Sequence, residues 1–119
     1  MRDYLNPFFR RKEFACNCGC GLDTVDAELL AVLTDLRVYF GAEVYINSGN
    51  RCLPYNLKIG GSPKSQHIVS KAADIRVKGF EASEVAEYFR KEYPNKYGIG
   101  EAVSFVHIDV RASKARWTY

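Results

Sequence analysis

The sequence predicts an α+β fold, a small and mainly antiparallel sheet with its helices packed on one face. Three observations carry that expectation. Two stretches repeat apolar residues at the 3.6-residue period of a helix, and three others alternate apolar and polar residues as half-buried strands do. The 119 residues, 47% apolar and 26% charged, suit one domain, residues 1–119, that closes a single core.

In the first helix Asp23 or Thr24 can serve as the cap, Leu29, Leu30, Leu33, Leu36 and Phe40 line one face, and Gly41 supplies the stop. Residues 43–48 follow as a strand, with Val44 and Ile46 on its apolar side. Residues 49–70 are rich in Gly, Pro, Ser, Asn and Lys and read as one long irregular loop. Such loops in compact domains are usually functional or disordered. In the strand at 72–77, Ala73, Ile75 and Val77 face one way and Asp74 and Arg76 the other. Ser83 is the expected cap of a second helix carrying Val85, Phe89 and Tyr93, which Pro94 ends. Tyr97-Gly98-Ile99-Gly100 reads as a turn into the last strand, 105–111. There Val106, Ile108 and Val110 make a core face, and Phe105, His107, Asp109 and Arg111 share the other.

Composition excludes several classes of function. The net charge of +3 comes from 17 Lys and Arg against 14 Asp and Glu. The one compact basic cluster, Arg10-Arg11-Lys12, is cut off by Glu13 and Phe14, which reads as a solvated face and not a nucleic-acid surface. No apolar run is long enough to cross a membrane, and the opening residues lack the apolar stretch and cleavage site of a secretory signal. The expectation is a monomer made in the cytoplasm, with no membrane insertion.

The four cysteines fall as Cys16, Cys18 and Cys20 in one run, with Cys52 apart. Alternate cysteines on an extended segment point to opposite sides, and C-x-C is a poorer match to structural zinc than C-x2-C. The spacing therefore favours a disulfide to Cys52 or four reduced thiols over a metal site, and a chain without a signal segment favours thiols.

His67 and His107 are the only histidines, and each lies near a carboxylate. His67 precedes Asp74 by seven residues. If residues 68–71 fold back, the loop histidine and the strand aspartate converge, and His107 on a neighbouring strand adds a third ligand. Two neutral nitrogens and one carboxylate leave a tetrahedral position of Zn²⁺ open to water, as catalytic sites do. The bland alternative is an exposed His67 and a His107 satisfied by Asp109.

The run Ser48-Gly49-Asn50-Arg51, then Asn56, Gly60-Gly61, Ser65-Gln66-His67, Ala72-Ala73-Asp74-Ile75 and the segment 105–111 together resemble the M15 family of zinc peptidases. These are D-alanyl-D-alanine carboxypeptidases and murein endopeptidases related to the hedgehog signalling domain. The opening Phe14-Ala15-Cys16-Asn17-Cys18-Gly19-Cys20-Gly21 is similar to its small single-domain branch in bacteria and phages. The resemblance covers nearly the whole chain. It implies a zinc site, His67, Asp74 and His107, on the sheet face opposite the helices, and a peptidoglycan stem peptide as substrate. It also implies that Arg51 lies near the metal, holding a substrate carbonyl or carboxylate, and that Ser65 holds the loop or touches substrate. It further implies action at the cell wall, as a phage lysis enzyme or a secreted protein deprived of its leader.

Two positions depart from the family pattern. Where a general base is expected, two or three residues before the last ligand, stand Phe105 and Ser104. Asp109 is then the first candidate for that base and Glu101 the second, with Asp109 alternatively orienting His107. Ser70 stands where glycine is expected. A metal-retaining but catalytically silent murein-binding module is the competing expectation.

Overall fold

The computed structural model describes residues 3–119; Met1 and Arg2, the start of the opening segment that was read for a secretory signal, lie outside it. Five strands form one sheet: β1 (Val44–Ser48), β2 (Ala72–Val77), β3 (Gly98–Glu101), β4 (Val106–Asp109) and β5 (Ala115–Thr118), in the spatial order β1-β2-β4-β3-β5. All neighbours are antiparallel except β3 and β5. Among the described residues three helices accompany the sheet, α1 (Ala27–Phe40), α2 (Leu53–Lys58) and α3 (Ala82–Glu92). The class is α+β, as the periodicities predict.

The core explains the alternation in the strands. Leu29, Val32, Leu33 and Leu36 of α1 and Val85, Ala86 and Phe89 of α3 cluster with Ala73, Ile75, Val77, Ile99, Val106 and Ile108 of the sheet. Each of the larger of these side chains contributes about 1.5–3 kcal/mol on burial. The period of two then turns Asp74, His107 and Asp109 to the opposite face. Among the described residues no helix is long and apolar enough to cross a membrane.

Several local expectations are corrected. The cap of α1 is Asp26, whose carboxylate accepts from the N–H groups of Glu28 and Leu29; Asp23 and Thr24 stand too early in the chain. Gly41 does end α1, in the left-handed region at φ 62°. Helix α3 begins at Ala82 after Glu81, with no side-chain cap, so Ser83 lies in its first turn. The long loop is not wholly irregular, because α2 and a 3-10 turn, Gln66–Val69, form inside it. The Gly98 and Gly100 stretch is a strand in mid-sheet and not a turn. A Cβ at Gly98 would run into the Asp109 carboxylate and Arg111, and one at Gly100 into the Trp117 indole. These glycines make room for side chains lying across them. The final strand is β5, for which the sequence pattern gave no expectation, and it brings Trp117 over that same face.

Candidate metal centre

Antiparallel register sets the site. Asp74 on β2 stands directly opposite His107 on β4, both on the face away from the core. His67 arrives from the 3-10 turn, whose start is fixed when Ser65 Oγ accepts from the His67 N–H (3.2 Å). The chain turns back to β2 through Ser70, which adopts φ 65°, a left-handed conformation that glycine takes more easily. Its hydroxyl offsets the strain by donating to Asn50 Oδ1 (2.6 Å) and pairing with Thr24 Oγ1 (2.5 Å).

All three groups are buried, and their ligand atoms lie within 4.8 Å of one another. His67 Nε2 is 3.3 Å and His107 Nδ1 3.0 Å from the same oxygen, Asp74 Oδ1. The far nitrogens fix the tautomers. Gly49 carbonyl oxygen can only accept, so His67 Nδ1–H donates to it at 2.7 Å. His107 Nε2–H likewise donates to Asp109 Oδ2 at 2.7 Å. With both imidazoles neutral, two nitrogen lone pairs would face a carboxylate oxygen, an arrangement that calls for a cation or a proton between them.

The titration behaviour follows from this crowding. Burial disfavours the charged form of Asp74, but the His107 and His67 imidazoles beside it, when they carry positive charge, outweigh burial and hold the carboxyl well below the usual range. Asp109 is also opposed by burial, and His107 and Arg111 hold it low. Burial resists charging of His107, yet Asp109 and Asp74 on either side raise its pKa above 6.5. A proton on His107 thus supplies positive charge between the two carboxylates.

Around these three candidate ligands the polar side chains of Arg51 and Asp109 are fully engaged. Arg51 donates from Nη2 to Asp74 Oδ2 (2.9 Å), from Nη1 to Asn56 Oδ1 (3.3 Å) and from Nε to Ser48 Oγ (3.1 Å). It therefore grips the carboxylate oxygen turned away from the imidazoles. Asp109 is 0% exposed. Besides His107, it accepts from Arg111 Nε (2.8 Å) and Nη2 (2.7 Å) and from the N–H groups of Gly98 and Arg111. Glu101 is ion-paired with Arg90 (3.0 Å).

A cleft of about 470 Å³ opens over the cluster, lined by Arg51, Lys64, Ser65, Phe105, Arg111, Trp117 and Tyr119 as well as His67, Asp74 and His107. Asp74 is the sole carboxylate among the described residues that line it, so neither Asp109 nor Glu101 faces this space. Sequence reasoning missed Trp117, Tyr119 and Lys64. The alternate glycines of β3 were the available signal, since a strand that omits side chains on one face is being covered by something.

Two imidazoles and a carboxylate converging beside a polar cleft are a donor set that could hold one metal ion, of the kind metallohydrolases use. The profile of the family described as Peptidase M15 matches residues 7–109, a span that includes Arg51, His67, Asp74, His107 and Asp109, and the chain belongs to that family of typically metal-dependent peptidases. A search of curated proteins finds no match.

Proposed function

We propose that this chain is a zinc peptidase that hydrolyses peptide bonds in the stem peptides of bacterial peptidoglycan, as a D-alanyl-D-alanine carboxypeptidase or a murein endopeptidase. The supporting observation is the meeting of His67 Nε2, His107 Nδ1 and Asp74 Oδ1 beside a cleft that carries cationic and aromatic groups. Two imidazoles and one carboxylate suit zinc. Zinc held there supplies Lewis acidity, polarising the scissile carbonyl and acidifying water.

The chain's own residues supply the rest. Gly49 and Asp109 hold the two rings in the tautomers that present a lone pair to the ion. Arg51 neutralises the distal oxygen of Asp74 and lies in the cleft wall, where charge developing on a substrate oxygen would meet it. Arg51 and Arg111 are paired with Asp74 and Asp109, and Lys64 adds a further cation along the cleft, which favours an anionic peptide. Phe105, Trp117 and Tyr119 give it an apolar wall suited to small side chains. Asp109 acts as a positioning residue. The chain works as a monomer at the cell wall.

Purified murein incubated with zinc-loaded protein should yield shortened or uncrosslinked stem peptides by mass spectrometry; unaltered murein would sink the proposal. One observation favours a second reading, a silent murein-binding module, namely that no second carboxylate among the described residues lines the cleft. Cosedimentation with murein that is left chemically intact would select it.

A further inference from the structure

The four cysteines gather in one place. Cys16, Cys18 and Cys20 follow the 3-10 turn Arg11–Phe14, and Cys52 occupies the N-cap position of α2, with no side-chain capping bond. Their sulfurs all lie within 4.8 Å of one another. Cys16 to Cys18 is 3.4 Å, Cys18 to Cys52 3.6 Å and Cys16 to Cys52 3.9 Å. All four are free, so of the disulfide to Cys52 and the four reduced thiols that the spacing allowed, the structure holds the thiols.

The objection drawn from C-x-C spacing fails for a conformational reason. The segment is a turn and not an extended strand: Gly19 N–H donates to Cys16 O (3.1 Å), and Gly19 and Gly21 take φ 86° and 90°. Cys16 N–H closes the turn onto Leu22 O (2.7 Å). Alternate sulfurs are thereby brought to one side, and a residue 36 positions away in the chain meets them.

We propose that Cys16, Cys18, Cys20 and Cys52 form a second metal centre, a tetrathiolate zinc site that is structural and separate from the His67–Asp74–His107 group. Tetrahedral zinc with Zn–S bonds of about 2.3 Å sets its sulfurs roughly 3.8 Å apart. The three sulfur–sulfur separations bracket that spacing, and no pair is singled out as a disulfide would be. The backbone N–H of Cys52 donates to Cys16 Sγ (3.5 Å), the kind of bond that favours a thiolate. Cys18 and Cys20 are exposed, and metal binding would protect such thiols from oxidation. On binding, the thiols lose their protons to solvent and the ion takes four sulfur ligands. The site would staple residues 16–20 to the start of α2, next to Arg51, and so fix the loop that carries this arginine beside the other centre.

Metal analysis of protein purified under reducing conditions tests the proposal. Wild type should hold two zinc ions per chain, His67→Ala one, and the double variant Cys18→Ser/Cys20→Ser one. Cobalt-substituted His67→Ala should show strong sulfur-to-cobalt charge-transfer absorption, and the double cysteine variant should lack it. If the cysteine variant fails to fold, cobalt-loaded wild type still decides. An ion count that the double cysteine variant leaves unchanged from wild type, or a cobalt spectrum without thiolate bands, would overturn the site. Neither result bears on murein hydrolysis, which is scored separately by its products.

Discussion

Replacing Asp109 by alanine separates a positioning role from general-base catalysis. The buried carboxylate accepts from His107 Nε2 (2.7 Å), from Arg111 Nε and Nη2 (2.8 and 2.7 Å) and from the Gly98 and Arg111 N–H groups (3.2 and 3.1 Å). Removing it strands the Arg111 guanidinium and the Gly98 N–H. Breaking a buried ion pair from one side costs roughly 3–5 kcal/mol. At about 4 °C per kcal/mol for a domain of this size, the metal-free protein should melt roughly 12–20 °C lower. His107 also loses the partner that fixes its tautomer, so zinc should bind about 10- to 100-fold more weakly, as measured by chelator competition. Turnover on murein peptides should fall at limiting zinc and largely recover when zinc saturates the site, because the lost group only orients the ligand. If turnover stays two or more orders of magnitude down with the site loaded, Asp109 carries a proton in the reaction and the positioning role is wrong.

Gly98→Ala puts a methyl group against the Asp109 carboxylate and should destabilise by about 1–3 kcal/mol while weakening zinc, seen in a denaturant melt and the same chelator titration. Ser70→Gly relieves about 1–2 kcal/mol of left-handed strain but loses two hydrogen bonds of about 1 kcal/mol each and adds chain entropy; net destabilisation of about 1 kcal/mol is expected, and a clear gain in melting temperature would contradict it. In metal-free protein, Asp74 and Asp109 have folded pKa values below the 3.8 of a free carboxyl, so their stabilisation is present above about pH 4 and lost as pH falls through the lowered values. His107 has its value raised above 6.5, so its contribution is complete below that pH and lost as pH rises through the folded value. Melts of the metal-free protein should therefore peak between about pH 4 and 6.5, and a flat profile across that span and above it would refute the coupling.

What the sequence made legible was the part set by period and register. Alternation on β2 and β4 put Asp74 and His107 on the polar face, and antiparallel pairing sets them opposite each other. The return of residues 68–71 toward the sheet stayed conditional in the sequence, since it depends on Ser70 holding a conformation that its residue type disfavours. The partners that hold the rings were partly hidden. Asp109 follows His107 at the strand period, whereas the Gly49 carbonyl carries no side-chain signature. Gly98 and Gly100 were misread because glycine marks turns and close approaches alike, and only the fold distinguishes them. The cysteine cluster was obscured in the same way, because C-x-C implies opposed side chains only while the backbone is extended.

The proposed zinc-dependent peptidase activity rests on the His67, Asp74 and His107 centre. The most direct measurement titrates metal-free wild type and metal-free His67→Ala with zinc against a purified stem peptide and follows peptide-bond cleavage by mass spectrometry. Wild-type turnover should rise from background to a plateau as zinc is added, and His67→Ala should stay at background at the same zinc concentrations, because an Asp and one His leave too few ligands to hold the ion. Wild-type turnover in His67→Ala, or cleavage by wild type that does not depend on zinc, would contradict a zinc-dependent reaction at this centre.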